Sequence, residues 1–400
     1  SPSRRSPLPE VVVVGGGPAG TAAAIFLRQA GHEVVLVDEA RFPRDKVCGE
    51  GVSPEAWRLL ARMGADGAVR ALRPRPVHGM KLTAPDGTAF VGEYAGAREP
   101  GFAVRRWCLD RALVECARGA GVEVREGVRA LDIVATGGVV RGVVLEGGDG
   151  PQRLEARLVV AADGRRSVIA RKLGLLREHR TLRKFAVRGY WNGVEGLTDH
   201  GEMHVTRGGY CGIAPLGDDE ANVTFVLDQA DMRRAGGDLE DFYLRTLERW
   251  PRVVERLPRA GLTSRPRAIG PLALEARRVS APGAVLVGDA AGFYDPFTGE
   301  GVTLALRGAE LAAGVAHRAL TGGSTDLRLY DRLRDEATRD KFRLNRLLQR
   351  VVAWPALANA VARRLSRRRD LADRLVGIAG DFVPARTAMG AGFLYEMLKG

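Results

Sequence analysis

The sequence predicts an α/β protein: a doubly wound, mainly parallel sheet flanked by helices, a mostly antiparallel sheet inserted into it, and a helical C-terminal region. Three observations carry that prediction. Four consecutive β-branched residues, Val11–Val14, run directly into Gly15-Gly16-Gly17-Pro18-Ala19-Gly20. Two later apolar stretches, Leu158–Ala162 and Ala284–Val287, lead into Asp163-Gly164 and Gly288-Asp289. Between them, residues 184–228 form successive alternating segments with no intervening helical pattern, the mark of antiparallel pairing.

Val11–Val14 reads as a strand buried on both faces, the expected first strand of a sheet covered by helices. In the turn, Gly15 permits the tight reversal, Gly17 lets main chain approach a pyrophosphate, and Gly20 allows close helix-to-strand packing. Pro18 and Ala19 carry the chain into a helix reaching Ala30, with Gly31 as its left-handed cap and its amino end towards the phosphates. A second strand, Glu33–Val37, delivers Asp38 and then Glu39, both expected, with Pro18 and Ala19, to bind the cofactor; Asp38 stands eighteen residues after Gly20, the offset of an acid that accepts from a ribose diol. A lone G-x-G-x-x-G is weak, and the flanking strand, helix and acid give it weight as a Rossmann-like dinucleotide site.

The loop from Arg41 to Pro54 is too charged and glycine-rich for a core, so Lys46 and Cys48 become candidate functional residues. Cys48 is either a reactive thiol or a small residue beside a ligand. Ser53 is expected to cap a helix through Met63, with Pro54 in its first turn and Leu59 and Leu60 inward. His78 to Tyr94 alternates as an inserted hairpin around Asp86-Gly87. Val104–Asp110 opens a helix through Arg118, Val122–Val124 is expected as a buried strand, and residues 130–158 as antiparallel strands separated by Gly137-Gly138 and Gly147-Gly148. Strands follow at Phe185–Trp191, Glu202–Thr206, Tyr210–Ala214 and Asn222–Leu227, then a helix Leu239–Trp250. A long helix starts near Gly299 and runs to about Ala319, and arginine-rich helices complete the chain. The expected division is residues 9–72, 100–178 and 267–322 for the nucleotide domain, 73–99 and 179–266 for a substrate domain, and 323–400 for a C-terminal helical region.

Composition sets bounds. With 400 residues, 45% hydrophobic and 27% charged, the chain is of ordinary globular type, and no apolar run approaches the roughly 18 residues of a membrane span. Cys48, Cys108, Cys116 and Cys211 lack C-x-x-C spacing, which points to reduced thiols and a cytoplasmic protein, and the scattered histidines suggest no metal site. The net charge of +13 raises nucleic acid or an anionic membrane as partners. No nucleic-acid module is present, and none is expected as a partner. From Gly323 to Gly400, sixteen Lys and Arg stand against nine Asp and Glu. Two readings of that excess stay open: solvated helix faces, or peripheral membrane contact through basic C-terminal helices.

Taken together, Gly15-x-Gly17-x-x-Gly20 with Asp38, Arg106-x-x-Leu109-Asp110, Asp163-Gly164-x-x-Ser167-x-x-Ala170 and Gly288-Asp289-Ala290-Ala291-Gly292 before Pro296-x-x-Gly299-x-Gly301 resemble the glutathione-reductase-like FAD enzymes. That family includes aromatic hydroxylases, flavin halogenases and geranylgeranyl reductases. The resemblance covers most of residues 9–320 and implies FAD, with Arg106, Asp163 and Asp289 near its pyrophosphate or ribityl chain. It adds Gly164, Gly288, Pro296, Gly299, Gly301 and Val302 to the cofactor site, with a helix amino end beside the flavin's pyrimidine edge. The Lys46-Val47-Cys48-Gly49-Glu50-Gly51-Val52-Ser53 loop is most similar to the geranylgeranyl reductase branch.

One departure stands out. That branch commonly carries Tyr-x-Trp-x-Phe-Pro over the flavin, whereas Tyr210-Cys211-Gly212-Ile213-Ala214-Pro215 keeps only the tyrosine and proline, which opens the pocket. Halogenases carry Gly-Trp-x-Trp-x-Ile-Pro there, and Gly209–Pro215 retains only the end residues, which disfavours halide chemistry. The resemblance therefore implies an FAD-dependent oxidoreductase, reduced by transient NAD(P)H or a carrier, acting on a hydrophobic isoprenoid, polyketide or lipid by double-bond reduction. The alternative is a monooxygenase that hydroxylates an aromatic or polyketide substrate. Tyr210, Cys48 and Lys46 are the candidate catalytic residues, the first two as proton donors or as pocket lining.

Overall fold

A computed structural model describes residues 8–147, 150–179, 181–387 and 396. Gly148 of one expected turn, and residues 388–395 and 397–400 of the expected C-terminal region, lie outside the described residues. Val11–Val14 forms the centre of a six-stranded sheet ordered 280–281, 284–286, 158–161, 11–14, 34–38, 123–126. All neighbours are parallel except the outer pair 280–281 and 284–286. The four valines are at most 4% exposed, as a strand covered on both faces requires. Helix Pro18–Gln29 follows the glycine turn and packs against helices Arg106–Gly119 and Gly301–Thr321. Alanines 22–24 on one helix and Ala309, Ala312, Ala313 and Ala316 on the other are buried in the same core, so short side chains set a close approach.

A second sheet has seven strands, ordered 267–269, 184–191, 221–228, 209–215, 200–206, 79–83, 89–93. Its pairs are antiparallel except 200–206 with 79–83. The two faces serve different cores, because successive strand residues point to opposite sides. Val187, Cys211, Ile213, Val223 and Phe225 pack beneath helix Leu239–Leu247, while Ala186, Met203, Tyr210 and Val226 face the first sheet's side with Leu272 and Phe297. A smaller antiparallel sheet, 130–136, 139–145 and 152–155, turns at Gly137 and Gly138, both at positive φ (58° and 78°) as a tight hairpin requires.

Four expectations are corrected. Ser53 does not cap its helix: Pro54 holds the cap position of Glu55–Met63, and the Ser53 hydroxyl instead meets Thr303 Oγ1 at 2.5 Å. The strand expected at 122–124 runs Glu123–Glu126 at a sheet edge and is only partly covered. The helix expected to reach Trp250 ends at Leu247, and a short turn restarts at Pro251, where a proline is tolerated. The long helix begins at Gly301 rather than Gly299, because a 3-10 turn Pro296–Thr298, capped by Asp295 Oδ1 accepting from Phe297 N at 2.9 Å, comes first.

Candidate active site

The glycine turn shows which backbone positions are filled and which stay open. A Cβ on Gly15 would lie 2.3 Å from Ala162 O, and one on Gly20 would lie 1.8 Å from Gly15 O, so both glycines are demanded by the protein itself. At Gly17 the nearest atom to such a Cβ is Arg44 Nη2 at 3.5 Å, so this part of the turn faces open space. Asp38 is buried, and its carboxylate accepts from Gly16 N at 2.6 Å and from Ala40 N at 2.7 Å. Glu39 points elsewhere, 3.5 Å from Arg129 with its side chain 71% exposed.

The three strand ends converge. Gly288, at φ +60°, is so close to helix Pro18–Gln29 that a Cβ would lie 2.7 Å from Ala19 Cβ. Lys46 Nζ lies 3.8 Å from Asp289 Oδ2, and 3.6 Å from the position of a Cβ on Gly164. Arg44 and Arg106 both reach the fully buried Asp110: Arg44 at 3.0 Å, Arg106 through two bonds of 2.9 and 3.0 Å. Thus loop 41–54 joins the turn, both later strand ends and the Arg106 helix in one place.

These groups line an open-mouthed cavity between the two sheets, with room for about 250 Å³ inside a larger cleft that runs out to solvent. Gly17, Pro18, Ala19, Lys46, Cys48, Arg106, Gly164, Gly288, Asp289, Pro296, Gly299, Gly301 and Val302 all border it. Gly15, Gly20, Asp38 and Asp163 sit behind that surface. The opposite wall is apolar: Met203, Tyr210, Val226, Leu272 and Phe297, with gaps at Gly212 and Ala214. Tyr210 is buried and donates to Asp295 Oδ1 at 2.6 Å, with its ring edge-on to Phe297. Burial and the Asp295 carboxylate hold its phenol well above the ordinary range, which makes it a poor acid aimed away from the cavity. Cys48 Sγ accepts from Glu50 N at 3.3 Å and faces the Arg106 guanidinium.

Glu50 was not singled out in the sequence, yet it ties this loop to the second sheet. It takes positive φ (61°), accepts from Arg106 N and Asn222 Nδ2 at 3.1 Å each, and receives the Tyr190 hydroxyl. Burial pushes its carboxyl above the usual range against those donors. Asp295 was missed as well, although an acid directly before a proline at a turn start is a local signal that could have found it. The Ser53–Thr303 contact, 250 residues apart, has no local signal.

The residues fit FAD on structural grounds. Asp163 Oδ1 is buried without a hydrogen-bond partner, and burial raises that carboxyl's pKa, so a hydroxyl donor from the cavity side would satisfy it. Gly17 and Gly299 leave open backbone beside the cavity. The sequence profile described as FAD binding domain matches residues 9–341. The chain belongs to this family and is an FAD-dependent oxidoreductase.

Relatives in the family refine that statement. The chain is 33% identical to a menaquinone reductase of Mycolicibacterium smegmatis over 336 residues, 79% of this chain and 78% of the relative. It is 31% identical to a digeranylgeranylglycerophospholipid reductase of Methanopyrus kandleri, over 83% of this chain and 88% of that one. Among solved structures, it is similar to a geranylgeranyl bacteriochlorophyll reductase-like protein of Thermoplasma acidophilum (TM-score 0.76, 24% identity, 98% of this chain and 95% of that one). It is also similar to the flavin-dependent halogenase CmlS (TM-score 0.81, 24% identity, 96% and 77%). Those two likenesses show a shared fold. Among the described residues no helix is long and apolar enough to cross a membrane.

Proposed function

We propose that this chain reduces a carbon–carbon double bond of a hydrophobic, isoprenoid-type substrate in the cytoplasm, with NAD(P)H or an electron carrier as the transient source of electrons. The observation that carries this reading is one continuous cavity with a glycine-and-acid wall facing an apolar wall. Relatives named for menaquinone and for a digeranylgeranyl phospholipid support the substrate class. The same logic supports a working division in which 9–72, 100–178 and 267–322 bind FAD, 73–99 and 179–266 receive substrate, and 323–400 form a helical region.

Bound FAD supplies hydride transfer. In this reading Gly17, Pro18 and Ala19 present backbone to its pyrophosphate, Gly15 and Gly20 shape that turn from behind, Arg106 and Arg44 add positive charge, and Asp38 serves the adenosine ribose from behind the turn. Asp163 and Asp289 accept ribityl or ribose hydroxyls. Gly164 and Gly288 keep the two later strand ends close to the cofactor. Pro296, Gly299, Gly301 and Val302 frame the ring end, where the amino end of helix Gly301–Thr321 favours negative charge. Glu39, exposed beside Arg129, falls outside this set. Cys48 is assigned the proton delivered to the substrate carbon opposite the hydride, with Lys46 holding charge beside Asp289. Tyr210 is assigned to the dry wall, and Gly212 and Ala214 make room for a branched chain.

The test begins with the absorption spectrum of the purified protein and continues with turnover on prenylated lipids. Substrate-dependent oxidation of NAD(P)H at the same rate without oxygen is expected. Incorporation of labelled oxygen into product would replace this reading with hydroxylation.

A further inference from the structure

From Lys341 to Arg369 the chain carries nine Lys and Arg and no Asp or Glu. This stretch includes the second half of helix Arg328–Ala353, a sharp bend at Trp354, and helix Pro355–Arg367. The bend follows from Pro355, which cannot continue the preceding helix. Trp354 is 70% exposed, Leu357 41% and Leu347 38%, three of the seven large apolar side chains exposed among the described residues. Arg343, Leu347, Arg350 and Trp354 recur at helical spacing, so cationic and apolar groups share one outer stripe, with Arg346 beside it. Arg346 and Arg350 are exposed and make no ion pair among the described residues, and Arg343, also exposed, has one loose partner, Asp340 at 3.4 Å.

The inner side of the same bend is buried. Val352 packs in one cluster with Met203, Tyr210, Val226, Leu272 and Phe297, the apolar wall of the cavity, and Leu348 packs against it. The bend is therefore the outer skin of that wall. A merely solvated basic face would not present an indole and a leucine to water on one stripe, with a second exposed leucine, Leu357, just past the bend.

We infer that the bend around Trp354 is a docking tip for an anionic bilayer. Trp354, Leu347 and Leu357 enter the boundary between headgroups and acyl chains, and Arg343, Arg346 and Arg350 engage headgroup phosphates. The docked enzyme takes its substrate from the membrane next to the cavity wall. This last step rests on the proposed reading of a lipid substrate; the docking itself does not.

The experiment uses the FAD-loaded full chain and two vesicle types, one rich in phosphatidylglycerol and one of pure phosphatidylcholine. Binding to the anionic vesicles, lost at high salt, is expected. The other four tryptophans are buried or half-buried, so Trp354 dominates any change in emission. A blue shift, quenched by brominated lipid and absent in Trp354→Ser, is expected on binding. Arg346→Gln with Arg350→Gln should weaken binding about 30-fold, at roughly fivefold per cation, with FAD content unchanged. Equal affinity for both vesicle types, an unshifted emission, a double variant that binds like the parent, or retention on duplex DNA instead of vesicles would each overturn the proposal. Turnover of detergent-dispersed prenyl lipid without vesicle binding would discard the docking tip and leave the reductase reading intact. Vesicle binding without turnover would do the reverse.

Discussion

The two walls of the cavity are made by opposite means. On the nucleotide side the surface is mostly main chain: Gly15 and Gly20 are fixed by contacts a methyl group could not survive, and Gly17 is bare towards the cavity. On the other side the surface is side chain on strands whose second face belongs to a separate core. A backbone wall has little tolerance, because an atom added at Gly15 or Gly20 collides with main chain that cannot rotate away and one added at Gly17 projects into the cavity itself. A side-chain wall can be redrawn one residue at a time.

That contrast can be broken by experiment. Gly20→Ala carries the largest expected effect: with a Cβ 1.8 Å from Gly15 O, it should cost about 3 kcal/mol of stability or prevent folding, seen in thermal melts of the apoprotein. Gly17→Ala should melt like the parent yet bind FAD about 100-fold more weakly, measured by flavin titration. Similar melting temperatures for the two variants would erase the distinction drawn at this turn.

The side-chain wall has an acid limit of its own. Burial raises the Glu202 carboxyl, but hydrogen bonds from His204 and Arg256 overcome this and hold it at about 2. A folded pKa below the unfolded value adds stability above about pH 4.5 that is lost as pH falls towards 2, roughly 3 kcal/mol in all. Denaturant titrations across that window should show the loss, and Glu202→Gln should flatten it. Gly212→Trp should leave flavin absorbance unchanged and lower kcat/KM for a prenylated substrate about tenfold by filling the gap. Tyr210→Phe is the smallest change expected: about 1 kcal/mol of stability, with turnover within about twofold, since Asp295 keeps Phe297 N. A hundredfold loss of turnover would instead assign Tyr210 to the chemistry.

The same division explains what could be foreseen from sequence. Val11–Gly20 and Asp38 were legible because strand, turn, helix and acid follow one another in one local unit, although the contact that demands Gly15 comes from the distant Ala162. The strands of the second sheet were legible from alternation, which sends Tyr210 to the cavity side and Cys211 to the core beneath helix Leu239–Leu247. What escaped depends on partners distant in sequence. Ser53 looks like a helix cap until its hydroxyl pairs with Thr303, and Tyr210 looks like a proton donor to substrate until its hydroxyl is seen donating a hydrogen bond to Asp295. Glu50 gave no hint, since its task is to receive Tyr190 and Asn222 from two other strands.

Alternation along residues 209–215 has an evolutionary consequence. Cys211 and Ile213 anchor the strand in the core under helix Leu239–Leu247, while Gly212 and Ala214 look into the cavity. Selection can therefore rewrite every second letter of this strand to suit a new substrate while the letters between keep the protein folded. A lineage built this way can change its diet without risking its scaffold, and Gly212 and Ala214 are where that history would be written.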